Sequence, residues 1–235
     1  MSWTRNYYYR YPNEDRSSHR ISTSATELLQ AGIAYAVLTV DFVLVFGQVG
    51  VDSGFDTSFL AQYLVPLVLT AAAAAFTGFA AHELAHKVAA QRRGFWAEFR
   101  VSPVGLLVSV VTAVLGFLWA APGATVVGGV SEEDREDWGR ISLAGPLTNA
   151  AFGMVFYVGS AGLFLASSAT YFWLLILAFV NAWFGTFNLL PFGPLDGRKV
   201  LRWSSGAWVV SFVGMAAFTA LVGVALYVYG DPLFV

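Results

Sequence analysis

Charged residues fall in short clusters along this chain, and the stretches between the clusters are apolar for the length of a membrane span. Five such runs cover about 25–47, 59–86, 141–164, 171–190 and 207–229. A helix needs roughly 20 predominantly apolar residues to cross the hydrocarbon core, so each run predicts a transmembrane helix. A sixth run, 102–121, is almost long enough, but Pro103, Gly105 and Gly116 interrupt it and Pro122-Gly123 closes it. Before it, Ala97-Glu98-Phe99-Arg100-Val101-Ser102 alternates apolar and polar residues as a strand does. After it, 124–127 is a second short strand candidate, and Ser131 with Asp134 marks a helix start. The pattern predicts an all-α polytopic membrane protein of about five to six transmembrane helices, with a small re-entrant or β element after the second run.

Composition strengthens this reading. Hydrophobic residues make up 57% of the chain and charged residues only 12%, with a mean hydropathy of +0.63; soluble domains carry about a quarter charged residues. A net charge of −2 leaves no basic face for nucleic acid. Residues 1–24 are polar and rich in Tyr and Arg, with no apolar core of a signal peptide. They read as a cytoplasmic tail ahead of one membrane-embedded domain, 25–235. Asp41 lies in the far third of the first run, where an ionisable group is a functional candidate by default; here it reads as a structural hydrogen-bonding group.

The chemistry gathers at the end of the second run. The chain has three histidines and no cysteine, so any metal must be held by imidazole and carboxylate. Two of the histidines stand in His82-Glu83-Leu84-Ala85-His86; His19, in the tail, reads as solvated. On a helix, positions four apart lie one above the other on one face, which lets two imidazoles share one metal ion. Glu83 is turned about 100° from His82, so it flanks such a metal without ligating it. This HExxH pattern is the metalloprotease signature, with the Glu as general base.

A catalytic zinc site usually takes three protein ligands and a water. Asp196 is the best candidate for the third, in a segment broken by Pro191, Gly193, Pro194 and Gly197. Irregular backbone at membrane depth is tolerated where it lines a polar cavity. For Asp196 to meet His82 and His86, the chain must cross the membrane an even number of times between them. The third and fourth spans supply two crossings, so 102–121 must be re-entrant or folded against the bundle. With that assignment all 13 lysines and arginines fall on one side, which the positive-inside rule makes cytoplasmic. The N-terminus is then cytoplasmic, the C-terminus external, and the metal site toward the cytoplasmic face.

Three motifs in order resemble the site-2 protease family of intramembrane zinc metalloproteases. They are His82 to His86 (HExxH), Ala144-Gly145-Pro146-Leu147-Thr148-Asn149 (AGPxxN), and Asn188 to Gly197 (NxxPxxxxDG). The resemblance implies that His82, His86 and Asp196 bind one zinc ion and that Glu83 is the catalytic base. It also implies that Asn188, and less directly Asn149, positions substrate or stabilises the oxyanion. The expected activity is hydrolysis of peptide bonds in transmembrane segments of other membrane proteins, in the cell membrane. The 97–102 strand either offers an edge to which an extended substrate could add or merely covers the site. The chain departs from some members in having no PDZ-like module and a single span after the Asp motif. The alternative is a zinc-binding membrane protein without protease activity, a regulator or a metal carrier; polar groups clustered at one end of the spans disfavour a carrier.

Overall fold

The computed structural model describes residues 21–52, 57–119, 121–168 and 170–229. His19 and most of the proposed tail lie outside them. The elements in order are α1 (Ala25–Asp52), α2 (Thr57–Ala74), a π-helical turn (Ala75–Ala80), α3 (Ala81–Gln91), β1 (Trp96–Val101), α4 (Pro103–Val114), β2 (Gly123–Gly128), a 3-10 turn (Glu132–Asp134), α5 (Arg135–Leu165), α6 (Tyr171–Asn188), α7 (Asp196–Trp203) and α8 (Ser205–Tyr229). Among the described residues, five helices are long and apolar enough to cross a membrane: Ala25–Gln48, Gln62–Gln91, Arg135–Leu165, Tyr171–Asn188 and Ser205–Tyr229. The second combines α2, the π turn and α3. The protein is a multi-pass membrane protein.

Small residues set the packing around the site. Ala71, Ala74 and Ala75 are fully buried against Ala34, Leu38 and Phe42 of α1 and against Leu177 and Val180 of α6. Without large side chains the backbones approach closely, as membrane helices do where no hydrophobic drive separates protein from lipid. On its other side α6 packs Leu175 and Ala178 on Val222 of α8.

The 102–121 run turns back on itself. Ser102 caps α4, accepting from the Gly105 backbone N–H (3.1 Å), and Pro103 takes the first helical position, where its missing N–H costs nothing. Gly116, at φ 88°, turns the chain back. The excursion closes where it began: Ser102 N–H donates to the Pro122 carbonyl at 2.8 Å. The flanking strands pair antiparallel from Trp96↔Gly128 to Val101↔Gly123. The deep end of α4 is held to α1 by Gln48, whose amide donates to the Val114 carbonyl (3.2 Å).

The expected open edge on 97–102 is overturned. The outer edge of β1 is closed by side chains: Phe99 N–H donates to Glu27 Oε1 (3.0 Å), Val101 N–H to Gln30 Oε1 (3.0 Å), and Gln91 Nε2 to the Ala97 carbonyl (2.9 Å). Backbone groups at membrane depth must be satisfied within the protein, and here Glu27 and Gln30 of α1 and Gln91 of α3 do it. Asp41 is fully buried beside Ser109, whose hydroxyl donates to the Leu106 carbonyl.

Glu27 anchors a second contact. Lys87, one residue past His86, donates to Glu27 Oε2 (2.5 Å) and Thr23 Oγ1 (2.8 Å), with both ends of the ion pair buried. Removing one partner of a buried pair leaves an uncompensated charge and costs about 3–5 kcal/mol. Lys87→Met is therefore expected to lower the thermal unfolding midpoint sharply, and Lys87→Met/Glu27→Gln to recover part of the loss, because a neutral amide oxygen still accepts from Phe99. An unchanged midpoint for the single variant contradicts this.

Candidate metal centre

His82, His86 and Asp196 are brought together as the sequence predicts. One ligand atom from each lies within 4.8 Å of the others, and all three residues are buried. The separations are 2.9 Å between the two Nε2 atoms, 3.3 Å from His82 Nε2 to Asp196 Oδ2, and 2.9 Å from His86 Nε2 to the same oxygen. A tetrahedral zinc with bonds of about 2.0–2.1 Å spaces its ligands roughly 3.3 Å apart.

The outer nitrogens show why these atoms need a cation. His82 Nδ1 lies 2.5 Å from Asn149 Oδ1, and His86 Nδ1 lies 2.8 Å from the Ile141 carbonyl. Each neutral ring therefore carries its proton on Nδ1 and turns the Nε2 lone pair inward. Two lone pairs and a carboxylate then face one another with no donor between them. A bound metal ion relieves that repulsion, so the donor set fits one. Gly145 adds a second sign: a Cβ there would stand 2.5 Å from both Nε2 atoms. Only a residue without a side chain leaves that space open.

Local sequence explains how each ligand is held. The π turn places the Ala81 N–H on the Phe76 carbonyl, five residues back, and widens the helix just before His82. Opposite, Pro146 lacks the N–H that would bond Ser142 and loosens α5 at that turn, where the Ile141 carbonyl receives His86. Asp196 starts α7. Gly197 lets the chain double back there, since a Cβ would overlap the Leu189 and Leu190 carbonyls. Trp208 Nε1 donates to the Leu189 carbonyl (2.8 Å) and fixes the same turn. Lys199 holds the outer oxygen of Asp196, donating to Oδ1 at 3.0 Å, so Oδ2 alone faces the histidines.

Glu83 stands outside the ligand set, as its position on the helix predicts. Its Oε2 accepts from the Thr125 N–H of β2 at 2.6 Å, and Thr125 Oγ1 donates to the Glu83 carbonyl at 2.9 Å. Thr125 is the register partner of Phe99. The rung they form has Glu27 on one side and Glu83 on the other, so the outer edge of β2, not β1, borders the metal centre. A hydrogen bond to a charged group is worth about 1.5–3 kcal/mol. Thr125→Pro removes this donor at a position that does not bond β1. It is expected to lower turnover about tenfold or more while metal content stays unchanged; an unaltered rate would show that Glu83 needs no such support.

Of the two asparagines singled out from sequence, Asn149 is fully buried with its oxygen on His82 and its nitrogen on the carbonyls of Thr77 (3.3 Å) and Gly78 (3.0 Å). Asn188 is half-buried at the end of α6, where its amide donates to the Phe184 carbonyl (3.0 Å) within its own helix. Sequence reading gave Gly145 no role beyond its place in the motif and passed over Thr125, Lys199, Thr77 and Asn181. A polar Asn inside the apolar α6 was the one available signal among them.

Comparisons with known proteins agree with the geometry. The chain is 37% identical over 153 residues to "Putative zinc metalloprotease MJ0611" of Methanocaldococcus jannaschii, covering 64% of this chain and 75% of that protein. It is 34% identical over 166 residues to "Putative zinc metalloprotease Rip3" of Mycobacterium tuberculosis, covering 66% of this chain but 37% of that protein. Against "Zinc metalloprotease MJ0392" of Methanocaldococcus jannaschii it is 35% identical over 120 residues, 46% of this chain and 34% of that one. The chain thus spans three quarters of the first relative and only about a third of the other two. No family profile and no solved structure matches it. With the three motifs converging on one buried donor set, and a relative 37% identical over 75% of its own length, the chain belongs to the site-2 protease family of zinc metalloproteases.

Proposed function

We propose that this protein is an intramembrane endopeptidase that binds one zinc ion at His82, His86 and Asp196 and hydrolyses peptide bonds in transmembrane segments of other membrane proteins. The observation that carries it is the place of the donor set. It is buried where helices long enough to span a membrane carry His82 and His86, with a carboxylate, Glu83, flanking it. When bound, zinc supplies a Lewis acid and lowers the pKa of a water to about 7. Glu83 accepts the proton of the attacking water and passes it to the leaving amine. Asn149 orients His82. Asn188 is the candidate donor to the developing oxyanion, and must first turn from the Phe184 carbonyl.

A helical substrate hides its peptide bonds in its own hydrogen bonds, so it must be extended before attack. The outer edge of β2 is suited to hold it by strand addition, since Thr125 on that edge already contacts Glu83. By the positive-inside rule the site opens toward the cytoplasm and the N-terminus is cytoplasmic.

The purified, zinc-loaded chain mixed with a single-span test protein in detergent or vesicles is expected to cut within or beside the span. Zinc bound at one ion per chain, with no cleavage across a panel of single-span proteins, would favour the non-proteolytic reading.

A further inference from the structure

Two asparagines with no exposed surface sit among apolar helices behind the metal centre: Asn149 on α5 and Asn181 on α6. Burying an amide without partners costs about 1–3 kcal/mol, so their bonds should be complete. They are complete, and they run in one direction. Thr77, in the π turn, donates its hydroxyl hydrogen to the Ala73 carbonyl (2.8 Å), which leaves its oxygen as an acceptor. Asn181 Nδ2 donates to that oxygen (2.9 Å) and to the Leu177 carbonyl (2.9 Å). Both of its amide hydrogens are then used, and Oδ1 must face Asn149. Asn149 Nδ2 donates to it (3.2 Å) and, with one hydrogen shared, to the carbonyls of Gly78 (3.0 Å) and Thr77 (3.3 Å). That leaves Asn149 Oδ1 as the atom toward His82 Nδ1 (2.5 Å).

Backbone carbonyls cannot reverse their polarity. Ala73, Leu177 and Gly78 therefore fix the direction of every bond along the line, and with it the side of His82 that holds the proton. We propose that Asn181, oriented by Thr77, is a positioning residue for the metal. Acting through Asn149, it locks His82 in the Nδ1–H tautomer and keeps the Nε2 lone pair aimed at the ion. The inference rests on His82 being a zinc ligand. Partners that orient a metal-ligating histidine commonly contribute 10- to 100-fold to metal affinity. Ordinary interhelical glue would give Asn181 a part in stability but none in affinity.

The test is zinc affinity of the full chain in detergent, by competition with a chromophoric chelator, alongside the unfolding midpoint of each zinc-free variant. Asn149→Ala is expected to weaken binding about 10- to 100-fold and Asn181→Ala about tenfold. Asn149→Ala/Asn181→Ala should bind no more weakly than Asn149→Ala, because Asn181 has no other route to the metal. Binding by Asn181→Ala within about twofold of wild type overturns the proposal, as do losses that multiply in the double variant. If Asn181→Ala does not fold, Thr77→Val carries the test: it keeps the side-chain volume, removes the acceptor, and should weaken binding about threefold; wild-type affinity there overturns the proposal. A wild-type chain that binds no zinc overturns the metal assignment itself, a result distinct from equal binding by wild type and variants.

Discussion

Glu83→Gln is expected to keep one zinc ion per chain and to lose cleavage, with turnover falling about 10²- to 10⁴-fold, the usual contribution of a positioned general base. The substitution changes little else. Gln and Glu have similar helix propensity and nearly the same shape. The Thr125 N–H, now 2.6 Å from Glu83 Oε2, still finds an oxygen in the amide. The proposed ligand atoms belong to His82, His86 and Asp196, so the donor set is unchanged. What disappears is the ability to take a proton from the attacking water and return it to the leaving nitrogen. Metal content measured by elemental analysis, beside cleavage of a single-span protein, separates the two effects. Loss of zinc in Glu83→Gln would mean that Glu83 ligates or supports the site. Cleavage at the wild-type rate would remove Glu83 from the chemistry.

The motif letters and the spans were legible because each depends on local pattern. A run of apolar residues crosses a membrane wherever it stands, and four-residue spacing on a helix pairs His82 with His86 whatever surrounds them. The re-entrant element was legible for a different reason. Pro103, Gly105 and Gly116 break the run, and a crossing there would part Arg135, Arg140, Arg198, Lys199 and Arg202 from the other basic residues, against the positive-inside rule. The support of the site was not legible, because it depends on which helices meet. Asn181 inside α6 reads as generic interhelical glue until Asn149 and Thr77 are seen around it. Alternation at 97–102 predicts a strand but says nothing of which edge is covered; Glu27 and Gln30, three apart in the first turns of α1, decide that. Glu27 reads as the polar end of a span, and Lys87 as part of a basic cluster past the metal motif. Their burial as a pair appears only when the start of α1 meets Lys87 beside β1.

Gly145→Ala is expected to weaken zinc binding by about 100-fold or more while leaving the zinc-free protein folded. In isolation the change should favour α5, since Ala exceeds Gly by up to about 1 kcal/mol in a helix interior. The added methyl, however, stands 2.5 Å from His82 Nε2 and 2.5 Å from His86 Nε2, with His86 Cε1 at 2.6 Å. Neither ring can retreat cheaply. His82 is tied through Nδ1 to Asn149, and His86 to the Ile141 carbonyl. Either the rings swing and break those bonds, or the methyl occupies the space the ion needs. Second-sphere losses alone give 10- to 100-fold, and displacement of the ligands themselves should exceed that. Gly162 on the same helix is the control, because a Cβ there meets nothing within 4 Å. Gly162→Ala should bind zinc as wild type does and unfold at the same or a slightly higher temperature. Chelator competition and zinc-free unfolding midpoints on both variants distinguish a filled metal site from a damaged helix. Tight binding by Gly145→Ala would place the ion elsewhere than among the three ligands.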